Sequence, residues 1–170
     1  MYFKEFPLYQ YDFDNKGQSA KLVTDILRRV ALNAKVRANS LVFDNYDVKE
    51  GETPEIVADK YYGESQYHWV VLLVNDITGW FDWPLDSVTY SKYLLDKYDD
   101  NIDGVHHYEI NQTSGDTTIK LEVSSDTSGA TIVTNREYED RLQDEKRQIR
   151  LLDKAYLSFF VSEFRKIIKR

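Results

Sequence analysis

Three groups of residues in this chain are of types that could do chemistry. Glu52, Glu55 and Asp59 surround Gly51 and Pro54, and a pair of carboxylates flanking a cleft is the machinery of glycoside hydrolysis. The same acids fall where a helix is expected to begin, and a helix N-terminus favours negative charge with no reaction involved. His106 and His107, with Asp103 and Glu109 nearby, are of metal-ligand type. Adjacent residues on a strand point to opposite faces, so the two imidazoles are not expected to converge. His68 stands alone beside Trp69, and the serines lack a nucleophile-elbow context. The seven glycines are scattered singly and make no phosphate loop. The residues predict no catalytic site, no cofactor and no metal.

Composition narrows the field further. A chain of 170 residues is long enough for a folded core, and with no cysteine it has no disulfide framework. A net charge of -7 argues against nucleic acid as a partner, since phosphate binding rests on Lys and Arg. The basic tail Arg165–Arg170 fits a helix C-terminus instead. The longest apolar run, Trp69–Val74, is far short of the roughly 20 residues of a membrane span. The first residues, MYFKEFPLYQYDFDNKGQ, lack the apolar run of a signal peptide, so a soluble, non-exported protein is expected.

The aromatic load, 13 Tyr, 8 Phe and 3 Trp, is the other compositional signal, because large amphipathic rings favour interfaces. Residues 1–20 string Phe3, Phe6, Tyr9, Tyr11 and Phe13 through polar positions, with Pro7 breaking any helix. This segment reads as an extended arm that either drapes over its own domain or docks on a partner, with docking favoured because so many rings are costly to leave in water, and its deletion is expected to leave the core folded. Leu22, Ile26 and Val30 have helical spacing, and the alternation Val30, Leu32, Ala34, Val36, Ala38 predicts a half-buried strand after them.

The next stretch is better determined. Val42, Phe43, Tyr46 and Val48 predict a strand, and Thr53 caps a helix with Pro54 in its first position. Gly63 stops that helix, Ser65 caps a second one to about Val74, and Asn75 ends it. Trp69 is expected in the core, while Trp80 and Trp83 are candidate contact residues. Asp86 caps a third helix through Tyr98, followed by the meander Tyr108–Asn111, Thr117–Val123 and Ala130–Val133. Thr134 and Glu137 form a capping box that opens a long terminal helix. Tyr156, Phe160 and Phe164 lie on its main apolar stripe, whose width predicts contact with another chain.

The stretch Tyr46–Leu85 resembles a LysM module in its Val48, Gly51-Glu52-Thr53, Ile56, Ala58, Tyr62-Gly63, Leu72 and Asn75 framework. Pro54 and Tyr67-His68-Trp69 depart from glycan-binding members. From about residue 20 onward the chain resembles the baseplate wedge proteins of contractile-tailed bacteriophages, whose middle is LysM-like. The residues carrying this are Thr24-Asp25-Ile26, Arg29-Val30, Tyr46-Asp47-Val48, Gly51 to Glu55, Tyr61-Tyr62-Gly63, Tyr67-His68-Trp69, Trp83-Pro84-Leu85, Asn135, Glu137 and Lys146-Arg147. Residues 108–133 are the least matched.

The expectation is therefore an α+β protein with a LysM-like strand–helix–helix core. Its segments are an arm (1–20), the core with flanking elements (21–100), a meander insertion (101–134) and a terminal helix (135–170). The resemblance implies a non-enzymatic virion component, assembled in the host cytoplasm, that clamps other wedge proteins and contacts the sheath-initiating protein. The alternative is a peptidoglycan-binding module of a tail or cell-wall protein.

Overall fold

The computed structural model describes residues 2–13 and 20–169, so residues 14–19 of the expected arm and Arg170 of the basic tail lie outside the described residues. The fold is mixed α+β. In chain order its elements are β1 (Leu8–Asp12), β2 (Ala20–Thr24), α1 (Ala34–Arg37), β3 (Phe43–Asp47), α2 (Pro54–Tyr62), α3 (His68–Val74) and α4 (Ser87–Tyr98). They continue with β4 (Val105–Asn111), β5 (Lys120–Val123), β6 (Thr131–Thr134), α5 (Asn135–Arg147), β7 (Gln148–Leu152) and α6 (Lys154–Ile168). The chain divides into two compact units. The first takes Met1–Val48, Glu52–Gly79 and Ile149–Arg170, and the second takes Lys49–Gly51 and Trp80–Gln148.

Most local signals of the first unit read true, but Ser65 caps no helix: it lies within a 3-10 turn, Ser65–Tyr67, and α3 starts after Tyr67 without a side-chain cap. The Ile56 amide donates to Thr53 Oγ1 at 3.4 Å, and Pro54 opens α2 where its missing N–H costs nothing. Gly63 ends α2 with φ of 83°, a left-handed conformation in which any other side chain would be strained. α3 buries Trp69, Val70, Val71 and Val74, which makes it the central helix of the unit. Phe6, Phe43, Leu152, Val161, Phe164 and Ile168 close around it.

Three sequence expectations are corrected here. The helical spacing of residues 22–29 yields instead to β2, which pairs antiparallel with β1 from Leu8↔Thr24 to Asp12↔Ala20. Val23 and Thr24 are β-branched and suit a strand, so pairing overrides the spacing. The alternation over 30–38 finds no partner strand. Val30 and Leu32 pack on the core as irregular chain, and α1 follows. The arm is not separable, because Phe6 is itself a core residue.

The long terminal helix is the largest correction. It breaks after Arg147, and β7 returns to pair with β3. The physical cause is burial on both faces, since Ile149, Leu151 and Leu152 are all enclosed and a surface helix could not enclose all three. Asp153 then restarts the helix by accepting the Ala155 amide at 2.8 Å. Asn75 fixes the returning strand. Its Nδ2 donates to the carbonyls of Val71 and Arg150, both at 2.8 Å, and its Oδ1 accepts the Arg150 amide at 2.9 Å.

In the second unit the strand order is β5-β4-β6, so β4 is central and the expected meander is corrected. β4 pairs antiparallel with both neighbours. The capping box of Thr134 and Glu137 opens α5 as expected, and Asp86 caps α4 through the amides of Val88 and Thr89. Among the described residues, no helix is long and apolar enough to cross a membrane.

Asn75→Ala removes two hydrogen bonds that join the end of α3 to β7 and a third that closes α3 on the Val71 carbonyl. We expect it to lower stability by about 2 kcal/mol, read from urea unfolding. A change within about 0.5 kcal/mol would show that β7 is held by packing alone.

Candidate partner-binding surfaces

Of the acids that might have formed a hydrolytic pair, Glu52 is held in structural bonds, while Glu55 and Asp59 lie exposed on α2. Glu52 is buried and accepts hydrogen bonds from Lys60 Nζ at 2.5 Å and from the Tyr46 hydroxyl at 3.0 Å. Among the described residues, no group of three or more His, Cys, Asp or Glu side chains gathers as a metal site. The candidate surface of this protein is therefore aromatic.

Its first part is the N-terminal region. Residues Tyr2–Glu5 form a 3-10 turn laid on α3 and α6, with the Tyr2 ring stacked 5.4 Å from Trp69 and meeting Phe6 edge-on at 4.9 Å. An ion pair of 3.0 Å between Arg165 and Glu5 secures it. Beyond Pro7 strands β1 and β2 leave the core, and among their residues only Asp12 and Thr24 are not exposed. Tyr9 and Tyr11 lie on one face, paired with Val23 and Lys21, while Leu8 and Leu22 lie on the other. A two-stranded hairpin is marginal in water, and this one presents apolar side chains on both faces. Phe13, 79% exposed, extends the same patch.

The second part is a groove of about 580 Å³ between the 30–42 segment and α6. Val30, Leu32, Val36, Leu73, Tyr156, Phe159, Phe160 and Ile167 line it, and its one charged lining residue is Glu163. The third part belongs to the second unit, where Trp80 is 76% exposed beside Phe81, itself 5.7 Å from the Tyr93 ring.

The predicted contact residues thus divide. Phe3, Tyr9, Tyr11, Phe13, Trp80 and Tyr156 are exposed, and Trp83 and Phe160 are half-buried. Phe6 and Phe164 are enclosed in the core, with Phe164 4.4 Å from Trp69. Phe6 lies just before the hairpin leaves the surface, and Phe164 is on the inward side of α6. Sequence reasoning missed Leu8, Leu22, Leu27, Leu41 and Phe159, all exposed. Phe159 lies one position off the apolar stripe of α6, the signal that could have found it.

Two buried carboxylates hold the second unit together. Glu139 is 1% exposed and accepts hydrogen bonds from Lys97 Nζ at 2.6 Å, from Tyr98 at 2.8 Å and from Tyr93 at 3.3 Å. Burial pushes its proton affinity up, but the Lys97 and Tyr98 hydrogen bonds outweigh that and hold it below the usual carboxylate range. Glu109 is held low in the same direction by the Arg141 fork, at 2.7 and 3.1 Å. Lys120 adds an ion pair at 3.6 Å. The two histidines on β4, expected on opposite faces, do converge. The β4–β6 ladder slips register between Val105 and His107, and the ring Nδ1 atoms come to 2.8 Å.

Rings are thus exposed on the hairpin, along the groove and on a short turn. The sequence model of the phage family described as Base plate wedge protein 53 matches residues 1–127. The chain belongs to that family of base plate wedge proteins. The match runs from β1 past β5, and α5, β7 and α6 lie beyond it. No curated protein sequence matches the chain.

A carboxylate with a depressed folded pKa contributes stability that is present above its unfolded value and lost as pH falls through the folded one. Glu139→Gln is therefore expected to cost about 2 kcal/mol at neutral pH, a figure discounted because Lys97 is partly open to water. The gap between variant and parent should close below about pH 4. Urea unfolding at neutral and acid pH checks this, and a gap independent of pH would contradict the charged pair.

Proposed function

We propose that this chain is a non-enzymatic structural protein of the phage tail base plate. It clamps neighbouring wedge subunits together as the tail assembles in the host cytoplasm. Its partners in this reading are other wedge proteins and the sheath-initiating protein. The observation that carries it is the apolar surface of the first unit, where the hairpin exposes Tyr9, Tyr11, Leu8 and Leu22 and the groove exposes Tyr156 and Phe159. Leaving that much apolar surface in water is costly, at roughly 25 cal/mol per Å², unless a partner covers it. Family membership supports the destination of the protein, and the surface supports the clamping role.

We read β3, α2, α3 and β7 as a LysM-like strand–helix–helix unit closed by a second strand, with the second compact unit carried between α3 and β7. Supporting this reading are the capped α2, the Gly63 stop, the Asn75 clamp and the β3–β7 pairing. Glu52, beside the turn where a glycan-binding module would take a sugar, is committed to Lys60 and Tyr46. That favours a scaffold role for the module.

The triple variant Tyr9→Ser, Tyr11→Ser, Phe13→Ser changes only exposed rings. It should keep the parent's melting temperature within about 3 °C and lower co-purification with wedge proteins at least tenfold, about 1.4 kcal/mol. Undiminished co-purification, or binding of N-acetylglucosamine oligomers by the parent chain, would overturn the proposal.

A further inference from the structure

We propose that His106 and His107 form a two-nitrogen site for a late first-row divalent cation, Cu²⁺ or Ni²⁺. Neighbouring residues of a regular strand cannot converge in this way. The register slip between Val105 and His107 removes that obstacle and brings Nδ1 to within 2.8 Å of Nδ1.

Each ring has a neighbour on its far side. His107 Nε2 lies 3.8 Å from Glu109 Oε2, and that buried carboxylate is itself fixed by the Arg141 fork. The 3.8 Å distance is longer than a hydrogen bond, so Glu109 lies near the His107 ring as a negative charge on the side away from Nδ1. The His106 ring lies flat on Tyr138, with centroids 3.9 Å apart and planes 10° from parallel.

The geometry also selects the cation. With metal–nitrogen bonds of about 2.0–2.1 Å, two nitrogens at this separation subtend roughly 90° at the metal. That angle suits square-planar or octahedral coordination and is narrower than the tetrahedral arrangement of zinc. His106 is exposed, so water can fill the remaining positions. Without metal, the same contact is an N–H···N hydrogen bond. A cation held by both Nδ1 atoms takes the place of this hydrogen bond, and the proton between them moves to the outer nitrogen, Nε2, of its own ring.

The test is titration of the full chain with CuCl₂ and NiCl₂ at neutral pH. The chain has three histidines, so His68 is the internal control. We expect one Cu²⁺ per chain, a paramagnetic resonance spectrum with coupling to two imidazole nitrogens, and loss of the Tyr138 resonances by paramagnetic broadening. His106→Gln should weaken binding at least tenfold, with circular dichroism unchanged, and His68→Gln should leave it intact. No saturable binding, Tyr138 resonances that survive Cu²⁺, or binding insensitive to His106→Gln would overturn the site. The broadening measurement uses the unaltered chain, so it decides the question even where a variant fails to fold.

Discussion

The first unit depends on one pairing, that of β7 with β3. β7 lies in the chain where the second unit ends, and its place is fixed from both sides. Asn75 at the end of α3 bonds the Arg150 backbone, and Asp153 donates its amide to the Val42 carbonyl at 2.9 Å. With the strand in place, Leu152 enters the core and α6 is delivered onto Trp69 through Phe160 and Phe164. Contacts so distant in sequence carry a large loop-closure cost, which the two hydrogen bonds between Asn75 and the Arg150 backbone help to offset. The Arg150 side chain reinforces the same point by donating to the Arg37 carbonyl and covering the Phe43 ring.

Much of this was legible in the residues, and what was not has a common cause. Local signals held. Thr53 with Pro54, Gly63, Asp86, and the Thr134–Glu137 box sit where their caps and stops require, because those effects act within one helical turn. Long-range pairing was invisible. Residues 148–152 sit inside a pattern of three- and four-residue spacings, and nothing local says that they form a strand. The same holds for residues 20–24, whose partner strand lies across the 14–19 segment, and for β6, which crosses to the far side of β4. The β4 register slip was likewise unreadable, because a bulge is a property of two strands together.

The contact residues were legible by type more than by position. Aromatic abundance pointed to a protein of interfaces, but a ring's chemistry does not say whether it faces in or out. Tyr2, Phe6, Trp69 and Phe164 pack on one another and build the core. Tyr9, Tyr11 and Phe13, a few residues along the same chain, face water. Pro7 stands where this change occurs, and the Asp25 amide donates to its carbonyl at 2.9 Å to hold the base of the hairpin. One continuous aromatic segment thus has an anchoring half and a presenting half.

The most direct test of the account is a density map of the assembled base plate in which this chain can be traced. We predict that neighbouring wedge subunits lie against both faces of the β1–β2 hairpin and fill the groove at Tyr156 and Phe159. A map showing those side chains facing solvent, with the neighbours bound elsewhere on the chain, would contradict it.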